Sequence, residues 1–149
     1  MAEVGSVQIA ERAGAWRAAG PYRSVLLVED EAAFRRVIAR NLSGRGLVVR
    51  EVGTAQEAVD VSTADRPDLM LLDINLPDRS GWDVMRELRK LGVDVPTIVV
   101  SAVRVNQSRL EEFHAMAYLP KPFPLEALLR LVFRTSADHP GSLSDTENT

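Results

Sequence analysis

Asp73 closes the apolar run Leu69–Leu72, after which the chain turns through Pro77 and leaves at Gly81. A carboxylate held at the end of a buried strand presents an oxygen that can attack phosphorus. Taken alone, Asp73 could equally be a turn residue. Three other positions change its meaning: Glu29-Asp30 closes the apolar run Val25–Val28, Ser101 follows Thr97–Val100, and Lys121 follows Ala117–Leu119. Three crowded carboxylates repel one another and call for a divalent cation. An all-oxygen donor set favours Mg²⁺ or Mn²⁺, which would cancel charge and polarise a phosphoryl group. Lys121 adds a second positive charge, and Ser101 can donate a hydrogen bond to a phosphoryl oxygen. The chain carries no GxxxxGK[ST] loop, which argues against a nucleotide held in a P-loop.

These side chains meet only if the runs before them lie side by side and point the same way. The pattern along the chain provides for that. Short apolar runs at Val25–Val28, Leu47–Val49, Leu69–Leu72, Thr97–Val100 and Ala117–Leu119 alternate with helical spacings. Those spacings are Phe34, Val37, Ile38 and Leu42; Ala55, Ala58, Val59 and Ser62, with Thr54 as a cap; Val84, Met85, Leu88 and Leu91; Leu110 and Phe113; and Leu125, Leu128, Leu129, Val132 and Phe133. Strands that are apolar on both faces belong in a covered parallel sheet. The expected fold is therefore α/β, a doubly wound (βα)5 domain with a five-stranded parallel sheet. Such sheets bind their ligands at the carboxyl ends of the strands. Glu29, Asp30, Asp73, Ser101 and Lys121 all fall on that edge.

The chain has 149 residues, 46% hydrophobic and 26% charged, with a net charge of −3 and no cysteine. This fits one soluble domain, here placed at 23–135. Disulfides and thiolate chemistry are excluded, and nothing in the charge balance points to nucleic acid. No apolar run has the length of a membrane span, and the N-terminus lacks the apolar core of a signal peptide. A cytoplasmic setting is expected. Residues 1–22 read as a flexible extension in which a short helix over Gln8–Ala18 is possible. Residues 136–149 read as a disordered tail. The short remainder after Arg134 leaves no room for a helix-turn-helix module, so output through protein contacts is expected.

The residues resemble the receiver domains of two-component response regulators over about 24–134. The resemblance rests on Val25-Leu26-Leu27-Val28-Glu29-Asp30-Glu31, Asp73…Pro77…Gly81, Val99-Val100-Ser101-Ala102 and Tyr118-Leu119-Pro120-Lys121-Pro122-Phe123, in that order. It implies a flavodoxin-like receiver fold in which Asp73 accepts a phosphoryl group from a histidine kinase or a histidine phosphotransfer protein. It implies Mg²⁺ ligated by Asp30, Asp73 and the backbone carbonyl of Asn75, with Glu29 acting through water. Lys121 would bind the phosphoryl group, with Lys121-Pro122 a candidate cis peptide. Ser101 would be the switch hydroxyl, and Tyr118 the switch aromatic that turns inward when the hydroxyl moves. The molecule would be a phosphoacceptor with slow self-dephosphorylation rather than a metabolic enzyme, acting on a protein target that the sequence does not name.

The chain departs from that pattern in one stretch. The interval from Ser101 to Lys121 is slightly short, and Phe113-His114-Ala115-Met116-Ala117 stands where the family has a glycine and two acids. Glycine there ends the fourth helix in a left-handed conformation, so that helix is expected to be short or irregular. Two other readings stay open: a phosphorylation-independent receiver serving as an interaction module, and a Mg²⁺-dependent phosphatase with an aspartyl nucleophile. Asp78 and Glu31 are expected to be solvated, His114 and His139 to be bystanders, and Trp82 to pack on the third helix.

Overall fold

In a computed structural model of the chain, the described residues are 22–133 and the backbone of Gln8–Ile9. The strands are β1 (Gln8–Ile9), β2 (Ser24–Val28), β3 (Val48–Val52), β4 (Leu69–Asp73), β5 (Thr97–Ser101) and β6 (Ala117–Pro120). The helices are α1 (Ala32–Ser43), α2 (Ala55–Ala64), α3 (Gly81–Lys90), α4 (Gln107–Glu112) and α5 (Leu125–Val132). The sheet order is β1-β6-β5-β4-β2-β3. All pairings from β3 across to β6 are parallel, giving the expected five-stranded doubly wound sheet.

One strand was not anticipated. Gln8–Ile9 pairs antiparallel with β6, so the sheet has six strands and the possible helix does not begin at Gln8. The rest of that segment and the expected tail at 136–149 lie outside the described residues.

The apolar runs form strands because both faces are covered. Val25, Leu27, Leu69, Leu71, Ile98 and Leu119 pack with Ile38, Leu42, Leu128 and Val132 on the α1/α5 side. Leu26, Val28, Met70 and Leu72 pack with Ala58, Val59, Val84 and Leu88 on the α2/α3 side. At the edge, β3 is half exposed. Burying a large aliphatic side chain contributes roughly 1.5–3 kcal/mol, so these two layers dominate the stability of the sheet. Two spacings mislead locally: Val37 is 55% and Leu91 53% exposed. Val37 faces away from the sheet on α1, and Leu91 caps α3 rather than continuing it.

Side-chain caps set where α2, α3 and α4 begin. Thr54 accepts a hydrogen bond from the Glu57 N–H at 3.1 Å, as its type suggests. Ser80 and Asp83 form a capping box on α3. Asp78 is not merely solvated: it accepts from the Ala55 and Gln56 N–H groups at 2.8 and 3.0 Å, closing the start of α2 from a distant loop. Helix α4 is indeed short, at six residues. His114 takes the left-handed conformation (φ 55°) just after α4, a conformation that ordinarily favours glycine. Trp82 leaves its own helix to stack on Phe113, with ring centroids 5.2 Å apart, and so ties α3 to the end of α4.

Candidate phosphoacceptor and metal site

The strand order reverses between β2 and β4, and the site lies at the carboxyl end of that switch point. Asp73 is the last residue of β4, and Glu29 and Asp30 follow β2. Ser101 ends β5, and Lys121 follows β6. The parallel ladder continues past the strand ends. Ile74 N–H donates to the Val100 carbonyl at 3.1 Å and Lys121 N–H to the Ser101 carbonyl at 2.8 Å, fixing the segments that carry the acid and the ammonium.

Lys121 Nζ donates to Glu29 Oε1 at 2.8 Å and to Asp73 Oδ2 at 2.9 Å. Both carboxylates are almost fully buried, with side-chain exposures of 4% and 6%. The remaining oxygens are also engaged: Glu29 Oε2 accepts from the Glu31 N–H at 3.0 Å, and Asp73 Oδ1 from the Asn75 N–H at 2.9 Å. Burial pushes the Glu29 carboxyl above its ordinary value, partly opposed by the Lys121 and Glu31 hydrogen bonds. For Lys121, burial pulls downward, but the hydrogen bonds to Glu29 and Asp73 outweigh it and hold the ammonium charged. Two buried anions bridged by one cation form a stable unit only while the cation stays.

Asp30 is exposed, yet its carboxylate comes within 4.8 Å of oxygens of both Glu29 and Asp73. Three hard oxygen donors at that spacing fit a divalent cation such as Mg²⁺, which binds through one or two carboxylates and keeps several waters. The exposure of Asp30 leaves the solvent side open for those waters.

Gly81 explains why the chain can turn so tightly behind Asp73. Its N–H donates to the Ile74 carbonyl at 2.8 Å. A Cβ there would meet the Asp73 carbonyl oxygen at 2.7 Å and the Ile74 Cα at 2.9 Å. Only glycine lets the start of α3 approach the end of β4 this closely.

Glu29, Asp30, Asp73 and Lys121 thus converge. Ser101 lies on the same edge, but its hydroxyl donates to the Val103 carbonyl at 2.9 Å and accepts from the Val103 N–H at 3.0 Å. Tyr118 is buried, in a cluster with Ile74, Val99, Leu110 and Ala115. The Lys121-Pro122 peptide is cis. Two contributors escaped the sequence reading. Arg35 donates from Nη1 to the Glu29 carbonyl at 2.7 Å, and the Phe34 ring lies 4.9 Å from Lys121 Nζ. Both stand on α1 immediately after the acid pair, a position that could have marked them.

A five-stranded parallel sheet with strand order β3-β2-β4-β5-β6 and an acid–lysine cluster at its carboxyl edge defines a receiver-type signalling domain. Residues 25–133 match the family model of the response regulator receiver domain, and the chain belongs to that family. It is 39% identical over 120 residues to response regulator MprA of Mycolicibacterium vanbaalenii, covering 76% of this chain and 52% of the relative. It is 40% identical over 107 residues to MprA of Mycobacterium tuberculosis, covering 70% and 46%. The chain therefore spans about half the length of these relatives.

Among solved structures, it resembles response regulator TrrA of Thermotoga maritima in complex with Mg²⁺-BeF, at 29% identity and TM-score 0.66, covering 74% of this chain and 96% of that one. It also resembles a Burkholderia pseudomallei response regulator with a phosphorylated aspartic acid, a calcium ion and citrate, at 25% identity and TM-score 0.67, covering 85% and 75%. Phosphorylation and Mg²⁺ binding fit this family, whose members are switches rather than metabolic enzymes and interact with histidine kinases or phosphotransfer proteins. Among the described residues no helix is long and apolar enough to cross a membrane.

Proposed function

We propose that Asp73 is the phosphoacceptor and that the chain acts as a phosphorylation-controlled switch. The observation that carries this reading is the position of Lys121 Nζ between Glu29 and Asp73, with Asp30 as the third acid. An Asp73 carboxylate oxygen attacks the phosphorus of a phosphohistidine on a kinase or phosphotransfer protein. The new P–O bond forms as the P–N bond breaks, and the imidazole leaves with the bonding pair and takes a proton from solvent. Lys121 shifts its hydrogen bond from Asp73 Oδ2 to a phosphoryl oxygen, balancing the added charge.

Asp30, Asp73 and the Asn75 carbonyl would hold Mg²⁺, with Glu29 acting through water; the ion supplies charge neutralisation at the phosphoryl oxygens. The readout runs through Ser101 and Tyr118. For the Ser101 hydroxyl to reach a phosphoryl oxygen it must release its two hydrogen bonds to Val103, and Tyr118, buried beside Val99 and Leu110, repacks as that loop rearranges. The downstream target is a protein, and the setting is cytoplasmic.

A Mg²⁺ titration followed by intrinsic tryptophan fluorescence tests the site. Asp30→Ala is expected to weaken binding at least about tenfold, and Glu31→Ala to leave it near wild type. Equal effects of the two substitutions would overturn the assignment.

A further inference from the structure

The two edges of the sheet are protected differently. On β3 the strand itself carries Arg50 and Glu51, and these are tied up as Arg50–Asp65 and Arg35–Glu51 ion pairs. Charges of this kind discourage another strand from pairing there. At the opposite edge, β6 reads Ala117-Tyr118-Leu119-Pro120, with no charge. Its first three residues are 1%, 7% and 0% exposed. An uncharged, apolar edge strand is a template for strand addition unless something covers it.

Here the chain covers it. Gln8–Ile9 runs antiparallel along β6 in the register Gln8↔Tyr118 and Ile9↔Ala117, against the direction of the five parallel strands. The reach is sufficient. At roughly 4.8 Å per strand, β6 lies about 14 Å across the sheet from β2, and residues 10–23 can span several times that distance when extended. The pairing uses the backbone of Tyr118, whose ring packs beside Ile74, the residue after Asp73. Main-chain hydrogen bonding places little demand on side-chain identity, so an edge that accepts this segment accepts other extended peptides.

We propose that the outer edge of β6 is a strand-addition site which the chain fills with its own Gln8–Ile9 segment, and that a protein partner presenting an extended strand competes for it. The N-terminal segment is then an intramolecular competitor that limits access to the edge beside Tyr118. This inference does not depend on Asp73 being phosphorylated.

The test is amide hydrogen exchange on the full chain, comparing wild type with Gln8→Pro/Ile9→Pro. Of two consecutive strand residues only one directs its N–H at a given neighbour, so both are replaced. Exchange in the peptide spanning 115–120 is expected to rise on the order of fivefold, the equivalent of about one net hydrogen bond, while β4 stays unchanged. A synthetic peptide of residues 4–13, added at millimolar concentration to the double variant, is expected to restore protection, and the same peptide carrying Gln8→Pro and Ile9→Pro is not. Exchange at 115–120 equal to wild type, or an increase spread equally over β4, would overturn the docking of Gln8–Ile9. A local increase that the peptide fails to reverse would overturn acceptance of a strand in trans.

Discussion

Lys121 and Asp73, 48 residues apart in sequence, are joined at 2.9 Å through Nζ and Oδ2. The same ammonium reaches Glu29 at 2.8 Å. It occupies the place where the charge of two buried carboxylates has to be balanced. The site is thus a buried anion pair held by one cation, with a third acid at its rim.

Removing that cation should therefore be felt as instability before it is felt as lost signalling. Lys121→Ala leaves two buried carboxylates facing each other, and is expected to cost about 2 kcal/mol in metal-free buffer, discounted for the partial exposure of the lysine. Adding Mg²⁺ is expected to recover part of the loss by binding the folded state. Urea unfolding in chelator and in Mg²⁺ measures both. Equal stability of variant and wild type in chelator would show that the pair needs no counter-charge.

The close approach behind Asp73 makes a second prediction. Gly81→Ala puts a methyl group 2.7 Å from the Asp73 carbonyl oxygen, so β4 and α3 must separate. The expected cost is about 1–3 kcal/mol, with weaker Mg²⁺ binding because the Asp73 carboxylate moves with its backbone. An unchanged urea midpoint would mean the contact relaxes without strain.

Acid sensitivity is expected at the opposite end of the sheet. The Arg23 backbone N–H holds the Asp68 carboxyl below its ordinary value, with help from the Ser24 N–H; the two bonds are 2.8 and 3.0 Å. A depressed carboxyl contributes stability above its unfolded value, about pH 4, and loses it as pH falls through the folded value. Asp68→Ala should cost about 1 kcal/mol at neutral pH. The gap to wild type should close as pH drops below about 4. A gap that stays constant down to acid pH would remove Asp68 from the acid response.

Much of this was legible in the residues because apolar runs ending in acids leave few alternatives. Val25–Val28 before Glu29-Asp30 and Leu69–Leu72 before Asp73 are too short for helices and read as strands covered on both faces, and parallel strands bring their ends to one edge. What escaped depended on contacts without a local pattern. Asp78 caps α2 from more than twenty residues away, and no spacing rule links a loop acid to that helix start. His114 occupies the left-handed position in place of glycine, a role its side chain does not advertise. Gln8–Ile9 joins the sheet through backbone pairing alone, and nothing in its composition separates it from its alanine-rich surroundings. The acid cluster and Lys121 converge as read, while the Ser101 hydroxyl is held by Val103.

The central claim is that Asp73 receives the phosphoryl group, and site mapping tests it most directly. The full chain is incubated with a small phosphodonor and Mg²⁺, digested at low temperature, and the phosphoryl-bearing peptide is located by mass spectrometry. The expected result is a single modified peptide containing Asp73, absent in Asp73→Ala and absent when the metal is chelated. A phosphoryl group on another residue, or label that survives Asp73→Ala, would contradict the account.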